Sequence, residues 1–235
     1  MTFISATNKL LRHAQARVLL VGSGRMGHIR AKAIYSNPRF EFCGVVDSNV
    51  EEAAKLGGIY RAPHYQSLAE AIDHSSSDSG GRPPLDGIVI STPTPTHEPL
   101  VAEAAYNGLS TFTEKPVDET ADKIRSLFNT TRRHKVNLCC GFQRRFDPSY
   151  LSLYRQVNSG AIGTPLTANV FFGDHPVPSR SFLLQGGGNI ISDCSAHDMD
   201  YIRWVLQDEV ESVYATGTSS DDELRERGVI DNATM

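Results

Sequence analysis

The sequence predicts a doubly wound α/β domain followed by an α+β domain with an open, incomplete sheet, on three observations. A short apolar run, Val18-Leu19-Leu20-Val21, leads straight into a glycine-rich turn and then a helical pattern. Strand-like and helix-like segments alternate about five or six times up to residue 141, as a parallel sheet covered on both faces requires. Past Gly141 that rhythm stops, and the segments that follow read as a sheet the chain begins and does not finish. The expectation is therefore an N-terminal arm over 1–15, a Rossmann-type domain over 16–141, and a second domain over 142–235 in a C-terminally shortened chain.

The bulk numbers fit a globular protein. The chain has 235 residues, 40% hydrophobic and 21% charged, with a net charge of −4. It is long enough to bury a core in one or two domains. No basic block is present, so nucleic acid is not expected as a partner. No apolar run has the length of a membrane span. Cys43, Cys139, Cys140 and Cys194 form no C-x-x-C pair. A reducing compartment, the cytoplasm, is the simpler reading. The arm carries Lys9 and Arg12 and no acid. A frayed arm or short helix is expected there, with an organelle-targeting segment as the alternative.

The first strand, 18–21, runs into Gly22-Ser23-Gly24-Arg25-Met26-Gly27, a G-x-G-x-x-G pattern. Gly22 allows the tight turn, Gly24 lets a pyrophosphate approach the backbone, and Gly27 lets the following helix pack against the strand. Phosphates would meet the free N–H groups at the start of that helix, 26–35. The second strand, 40–46, ends at Asp47, the position from which a carboxylate holds the adenosine ribose hydroxyls. Gly22, Gly24, Arg25, Met26, Gly27 and Asp47 are the dinucleotide-binding candidates. A glycine-rich turn that binds nothing is the alternative.

A short helix over 50–56 is expected to stop at Gly57-Gly58, with a strand over 59–62 and a helix over 67–74 after it. The serine- and glycine-rich stretch 75–84 reads as a solvated surface loop. A strand over 87–91 enters Thr92-Pro93-Thr94-Pro95-Thr96-His97, then a helix over 98–107 closed by Gly108. A strand over 110–113 leads into Glu114-Lys115-Pro116. An amphipathic helix over 121–134, with Ile124, Leu127 and Phe128 as apolar positions, and a strand over 136–140 complete the alternation. Ligands of such sheets bind outside the carboxyl ends of the strands. Residues 92–97 and 114–116 therefore fall on the same rim as the glycine loop.

In the second half, Phe142-Gln143-Arg144-Arg145-Phe146-Asp147-Pro148 is a polar, aromatic crossing before a helix over 149–158. Strands are expected over 165–172 and 210–216, a loop over 174–178, and a helix over 190–206 introduced by Gly186-Gly187-Gly188. Residues 221–227 read as a charged helix or loop, and 230–235 as a strand just starting, without a partner.

Asp193 and His197 are four residues apart, hence on one helix face. A carboxylate beside an imidazole orients the ring and favours its protonated form, which suits a general base near neutral pH. A metal site is the rival reading, although no third ligand is well spaced; an ordinary surface pair is the bland one. Lys115 at a strand end can donate to an oxygen gaining negative charge, or simply meet solvent. His97, in a polar turn at a helix start, is more often structural. Arg144 and Arg145 either bind substrate or pair with local carboxylates. Gln143, Arg144 and Asp174 are the substrate-binding candidates.

Five motifs occur together in one order: G-S-G-R-M-G, S-T-P-T-P-T-H, T-E-K-P, G-F-Q-R-R-F-D-P and G-G-G-N-I-I-S-D-C-S-A-H-D-M-D. In this the chain resembles the glucose-fructose oxidoreductase/inositol dehydrogenase/MocA family over about residues 16 to 235, and within it the inositol 2-dehydrogenases. The resemblance implies a Rossmann domain and an α/β domain with a large open sheet through which subunits pair. It implies Lys115 on the reacting hydroxyl, His197 as acid/base with Asp193 as its partner, and a cis Lys115–Pro116 bond. It also implies Pro93, His97 and Glu114 on the nicotinamide side, with Thr92 and Lys115 as further cofactor-binding candidates. Gln143 stands where asparagine or methionine is frequent in relatives. The function so implied is NAD-dependent oxidation of a secondary alcohol on a cyclic polyol or sugar. The alternatives are a non-catalytic NAD-binding sensor and an NAD-dependent glycoside hydrolase.

Overall fold

The structure is a computed structural model that describes residues 15–77, 84–173, 175–184 and 190–235, without the side chains of Ser76, Ser77, Ser192 and Asp193. The N-terminal arm, the middle of the serine-rich stretch and the triple glycine lie outside the described residues. Two compact units divide the chain, Met1–Gly141 and Phe142–Met235.

The first unit alternates β1 (Ala16–Val21), α1 (Arg25–Ser36), β2 (Phe40–Val46), α2 (Val50–Tyr60), β3 (His64–Tyr65), α3 (Leu68–Ser77), β4 (Gly87–Ile90), α4 (His97–Tyr106), β5 (Ser110–Thr113), α5 (Ala121–Arg133) and β6 (Leu138–Cys140). The strands form one parallel sheet in the order β3-β2-β1-β4-β5-β6. The chain winds outward from β1 to β3 and then returns beside β1 as β4, so the direction of winding reverses between β1 and β4. Successive β1 side chains serve opposite faces, which explains its unbroken apolar run. Val18 and Leu20 pack with Ala31, Ile34, Ala53 and Leu56 of α1 and α2. Leu19 and Val21 pack with Leu68, Val101 and Leu127 of α3, α4 and α5.

Three boundaries differ from the sequence expectation, and one of them is the end of α3, which runs through Ser77 into the stretch expected as a surface loop. Helix α2 runs through Gly57 and Gly58 to Tyr60, and Arg61, at φ 55°, supplies the left-handed cap in place of glycine. The Tyr60 ring packs 5.1 Å from Tyr35 and 5.9 Å from Phe42, a tertiary contact that draws the last turn into the helix. Gly57 is needed for close approach instead, since a Cβ there would stand 2.7 Å from the Ala62 carbonyl oxygen. The third strand consequently starts later, where His64 and Tyr65 align with Val45 and Val46.

The second unit contains α6 (Pro148–Asn158), α7 (Arg180–Leu184), a π-helical turn Ile190–Cys194 continuous with α8 (Ser195–Leu206), β7 (Thr216–Thr218), α9 (Asp222–Glu226) and β8 (Asn232–Thr234). Helix α6 starts on Asp147, whose carboxylate accepts from the N–H groups of Ser149 and Tyr150. Residues 165–172 alternate in sequence but form no strand, because no neighbouring strand among the described residues pairs with them. Residues 210–215, expected as a strand, form none, since β7 begins only at Thr216, and the strand expected over 230–235 has a partner after all. Thr216, Gly217 and Thr218 pair antiparallel with Thr234, Ala233 and Asn232. All four cysteines are free thiols, and burial pushes that of Cys43 up to about 11. No described helix is long and apolar enough to cross a membrane.

Candidate active site

Parallel strands end on one rim, so the glycine loop after β1, Asp47 after β2, residues 92–97 after β4 and residues 114–116 after β5 share the carboxyl edge of the sheet. Gly22 sits at φ +102°, and a Cβ there would press within 2.8 Å of the Ser91 backbone. Gly27 is tighter, since its Cβ would lie 2.1 Å from the Gly22 carbonyl oxygen. Gly24, the residue before α1, differs: a Cβ would meet nothing within 4 Å, and no side chain caps the helix. Two glycines thus close the turn and the middle one leaves open space at the helix N-terminus, a cradle that fits a pyrophosphate. Arg25 and Met26 open α1 beside it, with Arg25 exposed and Met26 half-buried.

Asp47 ties that loop to the sheet. Its Oδ2 accepts from the Ser23 N–H at 2.8 Å and the Ser23 hydroxyl at 2.6 Å, and its Oδ1 accepts from the Asn49 N–H at 2.9 Å. Partial burial opposes its charge. The hydroxyl of Ser23 and the N–H groups of Asn49 and Ser23 outweigh that and hold the carboxyl below its ordinary 3.8.

His97 lies in the interior and does not line the rim. It is 1% exposed, with Nδ1 2.9 Å from the Pro116 carbonyl oxygen and Nε2 2.9 Å from that of Thr92. The ring bridges the turns after β4 and β5, which is the structural role its position first indicated. The Thr96 hydroxyl lies 2.7 Å from that of Thr92 and donates to the Pro93 carbonyl oxygen, bracing the turn. Glu114 is likewise turned inward. Its Oε1 lies 2.5 Å from Nε of Arg30 on α1, with the two side chains 11% and 19% exposed. Lys115 follows half-buried, and the Lys115–Pro116 bond is cis.

In the second unit, His197 occupies the first turn of α8, half-buried, with the Phe142 ring edge-on at 6.2 Å. Asp193 belongs to the π-helical turn, so its spacing to His197 straddles a change of helical pitch instead of lying in one regular helix; such turns recur at functional sites. The side chain of Asp193, and Asp174 altogether, lie outside the described residues. Gln143 opens a 3-10 turn, Gln143–Phe146. Both arginines there have carboxylate partners, as one sequence reading had it, but the partners are distant along the chain and not local. Arg144 pairs with Asp198 and stands 5.6 and 5.4 Å from the Tyr150 and Phe172 ring centroids. Arg145 grips Asp200 with two bonds, 2.8 and 2.5 Å. Asp198 thus answers the charge of Arg144 inside the unit, the pairing that the sequence left open beside substrate binding. No described group of three His, Cys, Asp or Glu residues could hold a metal ion.

Sequence reasoning passed over Ser23 and Arg30. Arg30 left a signal, since it stands in the 3–4 residue spacing of Gly27, Ala31 and Ile34, the buried face of α1.

Residues 16–142 match the model of an oxidoreductase family with an NAD-binding Rossmann fold, and residues 150–235 match the GFO/IDH/MocA C-terminal domain. The chain is 32% identical over 197 residues to an inositol 2-dehydrogenase of Rhizobium meliloti (strain 1021), covering 84% of this chain and 57% of that one. It is 31% identical over 226 residues to a scyllo-inositol 2-dehydrogenase (NAD(+)) of Bacillus subtilis (strain 168), covering 93% and 62%. A solved myo-inositol dehydrogenase from Corynebacterium glutamicum ATCC 13032 superposes with a TM-score of 0.77 at 30% identity, over 93% of this chain and 63% of that one. The chain thus spans less than two thirds of the length of these relatives.

Proposed function

The chain belongs to the GFO/IDH/MocA oxidoreductase family, and from that premise we propose that it is an NAD-dependent dehydrogenase oxidising a secondary alcohol of a cyclic polyol or sugar of the myo-inositol type. The observation that carries the reading is the carboxyl rim of the sheet. An open glycine loop, a hydrogen-bonded Asp47 and the Glu114-Lys115-Pro116 segment follow the ends of β1, β2 and β5 there. The loop at Gly22, Gly24 and Gly27 holds the pyrophosphate, and Asp47 accepts the ribose hydroxyls. Asp47 would repel a 2′-phosphate, and Ser48 and Asn49 beside it bring no cation, so NAD is preferred to NADP.

NAD, when bound, supplies the hydride acceptor. The chain's own residues handle the proton and the charge. His197 takes the proton of the reacting hydroxyl, and the Lys115 ammonium stabilises the oxygen as it becomes anionic. Asp193 orients His197, and Gln143 contacts the polyol. The four free thiols support a reducing compartment, the cytoplasm, as its location. The test is NADH formation over a polyol panel with NAD and with NADP, beside reporter release from an aryl glycoside. Turnover of inositols with NAD is the expected result. Glycoside cleavage, or tight NAD binding with no turnover on any polyol, would replace this reading with one of its alternatives.

A further inference from the structure

Lys115 has a tied neighbour on each side. The residue before it, Glu114, is gripped by Arg30 of α1 at 2.5 Å, and the Arg30 guanidinium lies 4.9 Å from the Phe112 ring centroid. The backbone of Glu114 is fixed as well, since its N–H donates to the Ile90 carbonyl at 3.1 Å. Gly141 leaves room for this arrangement: a Cβ there would stand 3.2 Å from Glu114 Oε2 and 3.1 Å from the Phe112 ring. The residue after it, Pro116, presents its carbonyl oxygen to Nδ1 of the buried His97 on α4, at 2.9 Å. One tie therefore comes from the helix whose N-terminus forms the phosphate cradle. The other comes from the helix that follows the neighbouring strand β4.

We propose that Arg30 and His97 are positioning residues for Lys115. Together they pin both of its flanking residues to the sheet rim, and Arg30 links the setting of the lysine to the dinucleotide-binding helix. An ammonium stabilises a developing alkoxide only when it is held where the charge appears, and a displacement of about 1 Å can cost roughly a hundredfold in rate. A charge-assisted bond between groups this shielded from water holds its partners firmly. The inference depends on the dehydrogenase reading only for what Lys115 does, not for how it is held.

The experiment therefore includes a readout that needs no turnover. The lysines of this chain are reductively methylated with carbon-13, and the Lys115 signal is identified by its loss in Lys115→Arg. In Arg30→Met and in His97→Phe that signal is expected to shift or split, and Arg30→Lys is expected to return it toward its original position. With myo-inositol and NAD, Arg30→Met should lower kcat roughly tenfold or more, while the NAD dissociation constant stays within about threefold. A Lys115 signal unchanged in both folded variants would overturn the proposal, as would a loss confined to NAD affinity. Circular dichroism checks folding. Should Arg30→Met not fold, Glu114→Gln, which keeps an acceptor for Arg30 without its charge, takes its place under the same criteria. A wild-type chain that oxidises no polyol would remove the dehydrogenase reading and leave the carbon-13 comparison to judge the positioning.

Discussion

At the scale of single residues, Asp47 carries the sharpest expectations. Its carboxylate answers the two donors of Ser23 and the N–H of Asn49, and in the proposed complex it also receives the ribose hydroxyls. Hydrogen bonds to a charged group contribute about 1.5–3 kcal/mol, so NAD should exceed NADP in kcat/KM by roughly tenfold or more. Equal efficiency with the two cofactors would count against the assignment. The same bonds give a pH dependence. Folding lowers the pKa below its ordinary 3.8, so the stabilisation is fully present above that value and is lost as pH falls through the lower, folded one. Urea midpoints of wild type and Asp47→Asn should differ by a constant amount between about pH 5 and 7 and converge in more acidic solution. A gap that persists unchanged into strong acid would mean that the carboxylate is not what ties the loop. His197 is the second such residue. His197→Ala should reduce turnover by roughly 100- to 10,000-fold and leave NAD affinity in place, measured by calorimetry beside the rate assay. Loss of NAD binding in that variant would refute the general-base role.

Elements are fixed by how closely their backbones approach. The first turn of α1 passes so near the end of β1 that a Cβ on Gly27 would stand 2.1 Å from the Gly22 carbonyl oxygen. That oxygen is backbone and cannot swing aside, so Gly27→Ala must push the helix off the strand. Forced overpacking typically costs about 1–3 kcal/mol. Here it also displaces the N–H groups that would receive the phosphates. Gly27→Ala should therefore lower the melting temperature and abolish NAD binding together. Gly24→Ala meets no atom within 4 Å in the protein alone. It should keep the stability and weaken only dinucleotide binding. A Gly24→Ala variant that unfolds, or one that binds NAD undiminished, would show that the open space over Gly24 is not where the pyrophosphate sits.

Across the whole molecule, apolar burial is unequal. Among the described residues, Tyr201, Val205 and Leu224 are the buried apolar side chains of the second unit, and all the others belong to the first. The second unit meanwhile leaves Leu166 and Phe171 94% and 97% exposed. Hydrophobic stabilisation scales with the area removed from water, so the second unit should open first. Limited trypsin digestion is expected to cut within 142–235 while a fragment near 15–141 persists and still binds NAD. Size-exclusion chromatography should show concentration-dependent self-association, since large apolar side chains this exposed gain by being covered. Cleavage that begins inside the parallel sheet would reverse this order of stability.

The sequence by itself determined β1, the glycine loop, α1 and the placing of Asp47, because each is written in neighbouring residues: an apolar run, a glycine spacing, a helical period. It also determined the parallel sheet, since alternating strands and helices leave few other ways to pack. Arg144 and Arg145 were legible as residue types, but not in their choice between a ligand and Asp198 or Asp200, partners more than fifty positions away. Arg30 and Glu114 are 84 positions apart, and no local pattern announces such a pair. The same holds for 165–172, whose alternation describes a strand but cannot supply the neighbour that makes one. Periodicity reports what a segment prefers in isolation. Hydrogen-bond partners, ladder neighbours and the buried position of His97 depend on which distant segments the fold brings together, and only the tertiary structure decides that.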